Sequence, residues 1–79
     1  MDAGLAFGKV LRERRKLAGL TQEKLAMEAD VQRNYVSLIE RGVHQPTINV
    51  IFKLAAALKC QPSALIADVE AIADNTTEN

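Results

Sequence analysis

A single cysteine, Cys60, rules out an intramolecular disulfide, and a single histidine, His44, leaves no paired Cys/His set to hold a structural metal. Such a chain suits a reducing compartment, so a cytoplasmic location is expected. Cys60 is read as a small apolar residue in the loop before the last helix rather than as a redox sensor. Tryptophan is absent and aromatics make up 4% of the 79 residues, so any core must be aliphatic. No apolar run approaches the length of a membrane span, and the N-terminus lacks the basic-then-apolar order of a signal peptide. Also missing are a Ser/His/Asp or Cys/His set and a glycine-rich phosphate loop, which argues against an enzyme and against a cofactor. No helix joins a basic face to a broad aromatic-apolar one, which argues against membrane binding.

Net charge is also lacking, but only in the sum. Residues 9–41 carry eight basic side chains against five acidic ones, a net +3, whereas residues 68–79 carry four acids and no base. A basic N-terminal half and an acidic end make a polarised molecule that can turn one side to phosphate. A solvated charged surface would explain either half taken alone.

What is present is helical periodicity. Apolar residues recur at helical spacing from Phe7 to Ile72, with no alternating β-branched run to compete, so an all-α bundle follows. The expected first helix runs from Leu5 to Leu17, with Phe7, Val10, Leu11 and Ala18 over the core and Gly19 as its stop. Pro46 leads into Thr47, an N-cap for a fourth helix that Ile48, Ile51, Phe52, Leu54, Ala55 and Leu58 make apolar over most of its circumference. Gln61-Pro62-Ser63 restarts the chain, and a fifth helix carries Leu65, Ile66, Val69 and Ile72 to about Ala73. Residues 1–73 are expected to form one domain, with 74–79 as a frayed polar tail.

Residues 20–42, LTQEKLAMEADVQRNYVSLIERG, are the most specific stretch. Thr21 can cap a helix beginning at Gln22, whose inward face is Leu25, Ala26 and Ala29. After a turn through Asp30 and Val31, a second short helix runs from about Arg33 to Arg41, and Gly42 stands at its C-terminal cap. Its apolar residues Val36 and Ile39 must pack on the preceding helix, because a helix this short is not stable alone. Arg33, Asn34, Ser37 and Leu38 then point elsewhere. Two short helices joined by so tight a turn make a helix-turn-helix, which places its second helix in the major groove of DNA.

The pattern resembles the phage-repressor/Cro-type family, also called the xenobiotic-response-element family. The matching residues are Arg15, Gly19-Leu20-Thr21-Gln22, Leu25-Ala26, Val31, Val36, Ile39-Glu40-Arg41-Gly42, Pro46-Thr47 and Leu54-Ala55-Ala56-Ala57-Leu58. They span roughly residues 7–66 in the family's order, and within the family the RNYVSLIERG helix resembles restriction–modification controller proteins. The resemblance implies a five-helix, lambda-repressor-like DNA-binding domain that regulates transcription.

Arg33 opens the recognition helix with a planar fork suited to guanine O6 and N7, and Asn34 can pair with adenine N6 and N7. By resemblance, Gln32, Arg33, Asn34 and Leu38 fall on base-reading positions, Leu38 offering only apolar contact, for instance to a thymine methyl. Tyr35 and Ser37 stand beside them, and the Tyr35 hydroxyl can reach a phosphate. Gln22 matches the family's phosphate clamp at the start of the second helix, where backbone N–H groups already favour an anion. Arg41, Val43, His44 and Gln45 lie where family members touch backbone or minor groove, although a lone loop histidine is more often simply solvated. Arg15 and Glu40 match a structural ion pair that orients the recognition helix. Arg12, Arg14 and Lys16 either touch phosphate or form a solvated face.

Ile66, Val69 and Ile72 continue an apolar stripe past the point where so small a core should end. Burial against a second copy in a two-fold dimer is the expected remedy, unless the helix folds back and covers the stripe itself. The expected partners are therefore double-stranded DNA and a second copy, and no effector pocket is legible. A competing reading is an antitoxin-like protein-interaction module with secondary DNA binding, although the six-residue polar tail is short for wrapping a toxin.

Overall fold

The computed structural model describes residues 1–77, with side chains described through Ala73. Among the described residues it forms five helices and no strand: α1 (Ala3–Leu17), α2 (Gln22–Ala29), α3 (Arg33–Glu40), α4 (Ile48–Ala57) and α5 (Pro62–Thr77). The starts of α1, α2 and α4 follow from capping chemistry. Thr21 Oγ1 accepts from the Lys24 amide at 3.0 Å, and Thr47 Oγ1 accepts from the Val50 amide at 3.2 Å. α1 begins two residues before the expected Leu5, because the Asp2 carboxylate accepts from the amides of Gly4 and Leu5 and pulls the first turn toward the terminus. At the other end, α5 runs to Thr77 rather than stopping near Ala73. Of the expected tail, Glu78 and Asn79 lie outside the described residues.

The first four helices end in one way. A residue with positive φ follows the helix (Gly19, Asp30, Gly42, Lys59), and the next amide bonds back five residues to a helical carbonyl. Leu20 donates to Arg15 O, Val31 to Ala26 O, Val43 to Leu38 O and Cys60 to Ala55 O, all within 2.9–3.1 Å. This closure satisfies carbonyls that the last turn would otherwise leave unpaired. At two of the four sites the residue is not glycine, so Asp30 and Lys59 hold a conformation that costs an L-residue about 1 kcal/mol.

The core is aliphatic apart from Phe7. Leu11, Leu25, Val36, Ile39, Leu54 and Leu65 are its largest fully buried side chains, drawn from all five helices. α1 packs on both α3 and α5, while α2 packs on α3 and α4. Gly8 permits the α1–α3 approach: a Cβ there would stand 2.5 Å from the Ile39 carbonyl oxygen and 2.7 Å from that of Glu40. Cys60 is half-buried against this cluster.

Three sequence expectations are corrected. Ala18 is exposed rather than packed, because α1 closes at Leu17 and the chain turns away. α4 buries only Ile51, Leu54 and Ala55, leaving Ile48 and Phe52, one turn apart, 69% and 59% exposed. Val69 is only 8% exposed, since α5 lies back along α1 and carries Val69 into the core, with Ile72 half-buried against it. Of the apolar stripe assigned to a dimer interface, Ile66 alone is largely exposed, at 45%.

Candidate nucleic-acid interface

α3 is eight residues long and buries two of them, Val36 and Ile39, against α2 and α1. Burial of those two side chains fixes how the helix rolls, and an ion pair fixes its C-terminal end. Arg15 Nε donates to Glu40 Oε2 at 2.6 Å, Nη2 donates to Glu40 Oε1 at 3.1 Å, and Nη1 donates to the Leu20 carbonyl at 2.9 Å. The two side chains are 11% and 4% exposed, so this bidentate pair sits in a largely dry setting. It joins α1, the loop entering α2 and the last residue of α3.

Gln22 belongs to the same network. Its Nε2 donates to Glu40 Oε1 at 3.1 Å, which ties the first residue of α2 to the last residue of α3. The carboxamide is half-buried, and one of its two N–H groups is already engaged. The carboxylate of Glu40 thus holds both the orientation of α3 and the side chain assigned to a phosphate. Sequence spacing pairs Arg15 with Glu40 through resemblance, but the Gln22 link depends on three-dimensional approach and left no signal in the chain.

The solvent side of α3 is bare and polar. Gln32 is the N-cap residue but makes no side-chain capping bond, so its carboxamide is free. Arg33 and Asn34 follow, both exposed, and Arg33 forms no ion pair among the described residues. Ser37 and Leu38 are half-buried, while Arg41 caps the helix and is exposed. The Tyr35 ring is half-buried and meets the ring of His44 in a tilted contact, 6.1 Å between centroids and 59° between planes. His44 and Gln45 are otherwise exposed in the loop after α3. Gln32, Arg33, Asn34 and Arg41 are thus exposed along α3, with Gln22 bonded to its Glu40 end, whereas Gln45 lies against Gly4 at the start of α1 and lines a groove with Ile51 and Ile66. Val31, Gln32, Asn34, Tyr35 and Leu38 also enclose a shallow recess of about 380 Å³, a feature without a signature in the sequence.

A larger groove of about 630 Å³ runs between α1 and α5 and takes no residue from α2 or α3. It is crossed by a 2.8 Å pair between Arg14 Nε and Asp68 Oδ2. That hydrogen bond, with a smaller contribution from Cys60, holds the Arg14 guanidinium above its ordinary pKa against the opposing cost of burial. Both partners are substantially exposed, so the pair is a weak strut beside the one at Arg15. Among the described residues, no three His, Cys, Asp or Glu side chains gather as a metal site, and no single helix is long and apolar enough to cross a membrane.

Comparison with known proteins fits this geometry. A family model described as helix-turn-helix matches residues 11–65, more than half of the chain. The control protein C.BamHI of Bacillus amyloliquefaciens is 41% identical over 63 residues, which are 78% of each chain. The immunity repressor protein of Bacillus phage phi105 is 34% identical over 74 residues, and there the chain spans 94% of its own length but only 51% of the relative's. Among solved structures, the restriction–modification controller protein C.AhdI from Aeromonas hydrophila superposes with a TM-score of 0.76 at 43% identity, covering 77% of this chain and 92% of that one. These relatives are DNA-binding regulators of transcription rather than enzymes. The chain belongs to the phage-repressor/Cro-type, or xenobiotic-response-element, family of helix-turn-helix transcriptional regulators.

Proposed function

We propose that this chain recognises a specific, pseudo-palindromic operator as a cytoplasmic homodimer, without a cofactor. The observation that carries the reading is the uncommitted polar edge of α3. Gln32, Arg33 and Asn34 are exposed, while Val36, Ile39 and the Glu40 ion pair grip the other side. A free guanidinium and two free carboxamides at the N-terminal end of a recognition helix match the donor and acceptor pattern of purine edges in the major groove. Gln32, Arg33, Asn34 and Leu38 would read bases. Gln22, Tyr35, Ser37, Arg41, His44 and Gln45 would meet the sugar–phosphate backbone, which sets register without reading sequence. The likeness to two control proteins supports a narrower role, governing the genes of a restriction–modification system.

The second copy would dock on a surface that differs from the stripe expected in sequence. Val69 and Ile72 drop out, since both pack on the protomer's own core. The exposed Ile48 and Phe52 of α4 and Ile66 of α5 would take their place, and Ile66 lines one groove with Ile51. Large exposed apolar side chains on so small a domain favour coverage by a symmetry mate. Such a dimer would offer its two recognition helices to half-sites about one turn of duplex apart, roughly 34–36 Å.

Selection of bound sequences from random duplexes should enrich an inverted repeat, and sedimentation should report a dimer. Replacing Phe52 and Ile66 with Glu should give monomers with unchanged helical circular dichroism. A double variant that remains dimeric at micromolar concentration would move the interface elsewhere.

A further inference from the structure

One side of α1 carries a row of bases that the fold leaves unused. Lys9, Arg12 and Lys16 stand three and four residues apart, so they share one side of the helix. All three are exposed, and none forms an ion pair among the described residues. Arg14 lies between them in sequence but turns the other way, to its pair with Asp68 on α5. At about 1.5 Å of rise per residue, the row spans roughly 10 Å from Lys9 to Lys16.

The place of this row in the fold decides what it can meet. α1 is fastened to the C-terminal end of α3 at Gly8, where a Cβ would run into the Ile39 and Glu40 carbonyl oxygens, and at Arg15, which bonds Glu40. Arg12 lies between those two contacts, one turn after Gly8 and less than one turn before Arg15. The row therefore borders the end of α3 where Arg41 is exposed and where Gln22 is bonded to Glu40. Those two side chains are already assigned to phosphate. α5 covers α1 from the side that Arg14 faces, and it carries acids such as Asp68 and Glu70 but no base. A duplex seated on α3 thus meets basic charge on the near side of α1 and acidic charge beyond it.

We propose that Lys9, Arg12 and Lys16 form a phosphate-binding track for the duplex flanking each half-site, outside the bases that α3 reads. Three cations in a row suit successive phosphates, which rise about 3.4 Å apart on one strand, and such contacts carry no base preference. The inference rests on the proposed reading of DNA by α3, and it requires a footprint longer than the sequence that is read.

The test uses the full chain, with the fold of the variant checked by circular dichroism and its unfolding midpoint. An operator obtained by selection is made in two lengths. The short duplex ends at the last base pair that shows a preference, and the long one carries about one further helical turn of arbitrary sequence at each end. The slope of log affinity against log salt is about 0.9 per phosphate neutralised, so on the long duplex Lys9→Gln/Arg12→Gln/Lys16→Gln should lessen the slope of a dimer by about 5. The selected-sequence profile of this variant should match that of the wild type. On the short duplex the two proteins should give slopes equal to within about 1. Uncharged methylphosphonate linkages placed in the flanks should weaken binding of the wild type and leave the variant unaffected.

Equal slopes on the long duplex would overturn the track and leave a solvated face. A difference of the same size on both lengths would also overturn it, because the three bases would then act within the half-site. So would a changed base preference in the variant. Enrichment of no sequence by the wild type would overturn both the track and the reading of DNA beneath it.

Discussion

Arg15→Met should destabilise the domain strongly, because it strips a buried carboxylate of its cation. The guanidinium makes two hydrogen bonds to the Glu40 carboxylate and one to the Leu20 carbonyl. With the cation gone, Glu40, 4% exposed on its side chain, keeps only the Gln22 amide as a partner. Leaving a buried charge in that state costs about 3–5 kcal/mol. A domain of 79 residues has a total stability of about 4–12 kcal/mol, so much of it would be lost. At about 4–8 °C per kcal/mol for a chain of this size, the melting temperature should fall by at least about 12 °C. Urea unfolding at one fixed protein concentration measures the change, since association would otherwise shift the midpoint. The double variant Arg15→Met/Glu40→Leu should recover most of the loss, because apolar side chains of similar size tolerate the dry site. Asp68→Asn is the control: it breaks a pair that is largely exposed and should change stability by less than about 1 kcal/mol. A loss below about 1 kcal/mol in Arg15→Met would instead place this pair with the screened, exposed ones.

Gly8→Ala should cost about 1–3 kcal/mol, because the added Cβ meets backbone oxygen of α3 rather than a side chain that can move; an unchanged unfolding midpoint would mean that α1 can shift without penalty. Lys59→Gly should raise stability by about 0.5–1 kcal/mol, since the exposed lysine holds a φ of 59° that glycine adopts freely; a lower midpoint would show that the αL strain is absent or already offset. Operator binding should weaken linearly with log salt concentration despite zero net charge, and Arg41→Ala should lessen the slope by about 2 for a dimer losing one phosphate contact per protomer. Parallel salt plots would remove Arg41 from the phosphate contacts.

Much of the fold was legible because its punctuation is local. Thr21 and Thr47 announce α2 and α4 within three residues of their first turns, and Gly19 and Gly42 mark the ends of α1 and α3. Asp2 is the same kind of signal, but it lies before the apolar periodicity that draws attention to α1. The burial of Val69 and the exposure of Phe52 were illegible for one shared reason: composition ranks a helix's apolar residues without saying which side its neighbours cover. The packing of α5 along α1 takes Val69 inward, while no neighbour covers Phe52. At the site, residue identities follow from motif spacing. The Gln22–Glu40 bond and the recess at Val31 arise only from the mutual approach of α2 and α3, which spacing does not encode.

Base reading by the N-terminal end of α3 and backbone grip by Gln22, as proposed, should separate under mutation. Comparing selected-sequence profiles of the wild type, Arg33→Ala and Gln22→Ala tests this most directly. Arg33→Ala should flatten the preference at one base pair in each half-site, a discrimination worth about 1–3 kcal/mol, and leave non-specific binding nearly unchanged. Gln22→Ala should weaken all sequences to similar extents and keep the same preferred bases. Loss of base preference in Gln22→Ala, with an intact profile in Arg33→Ala, would contradict the account.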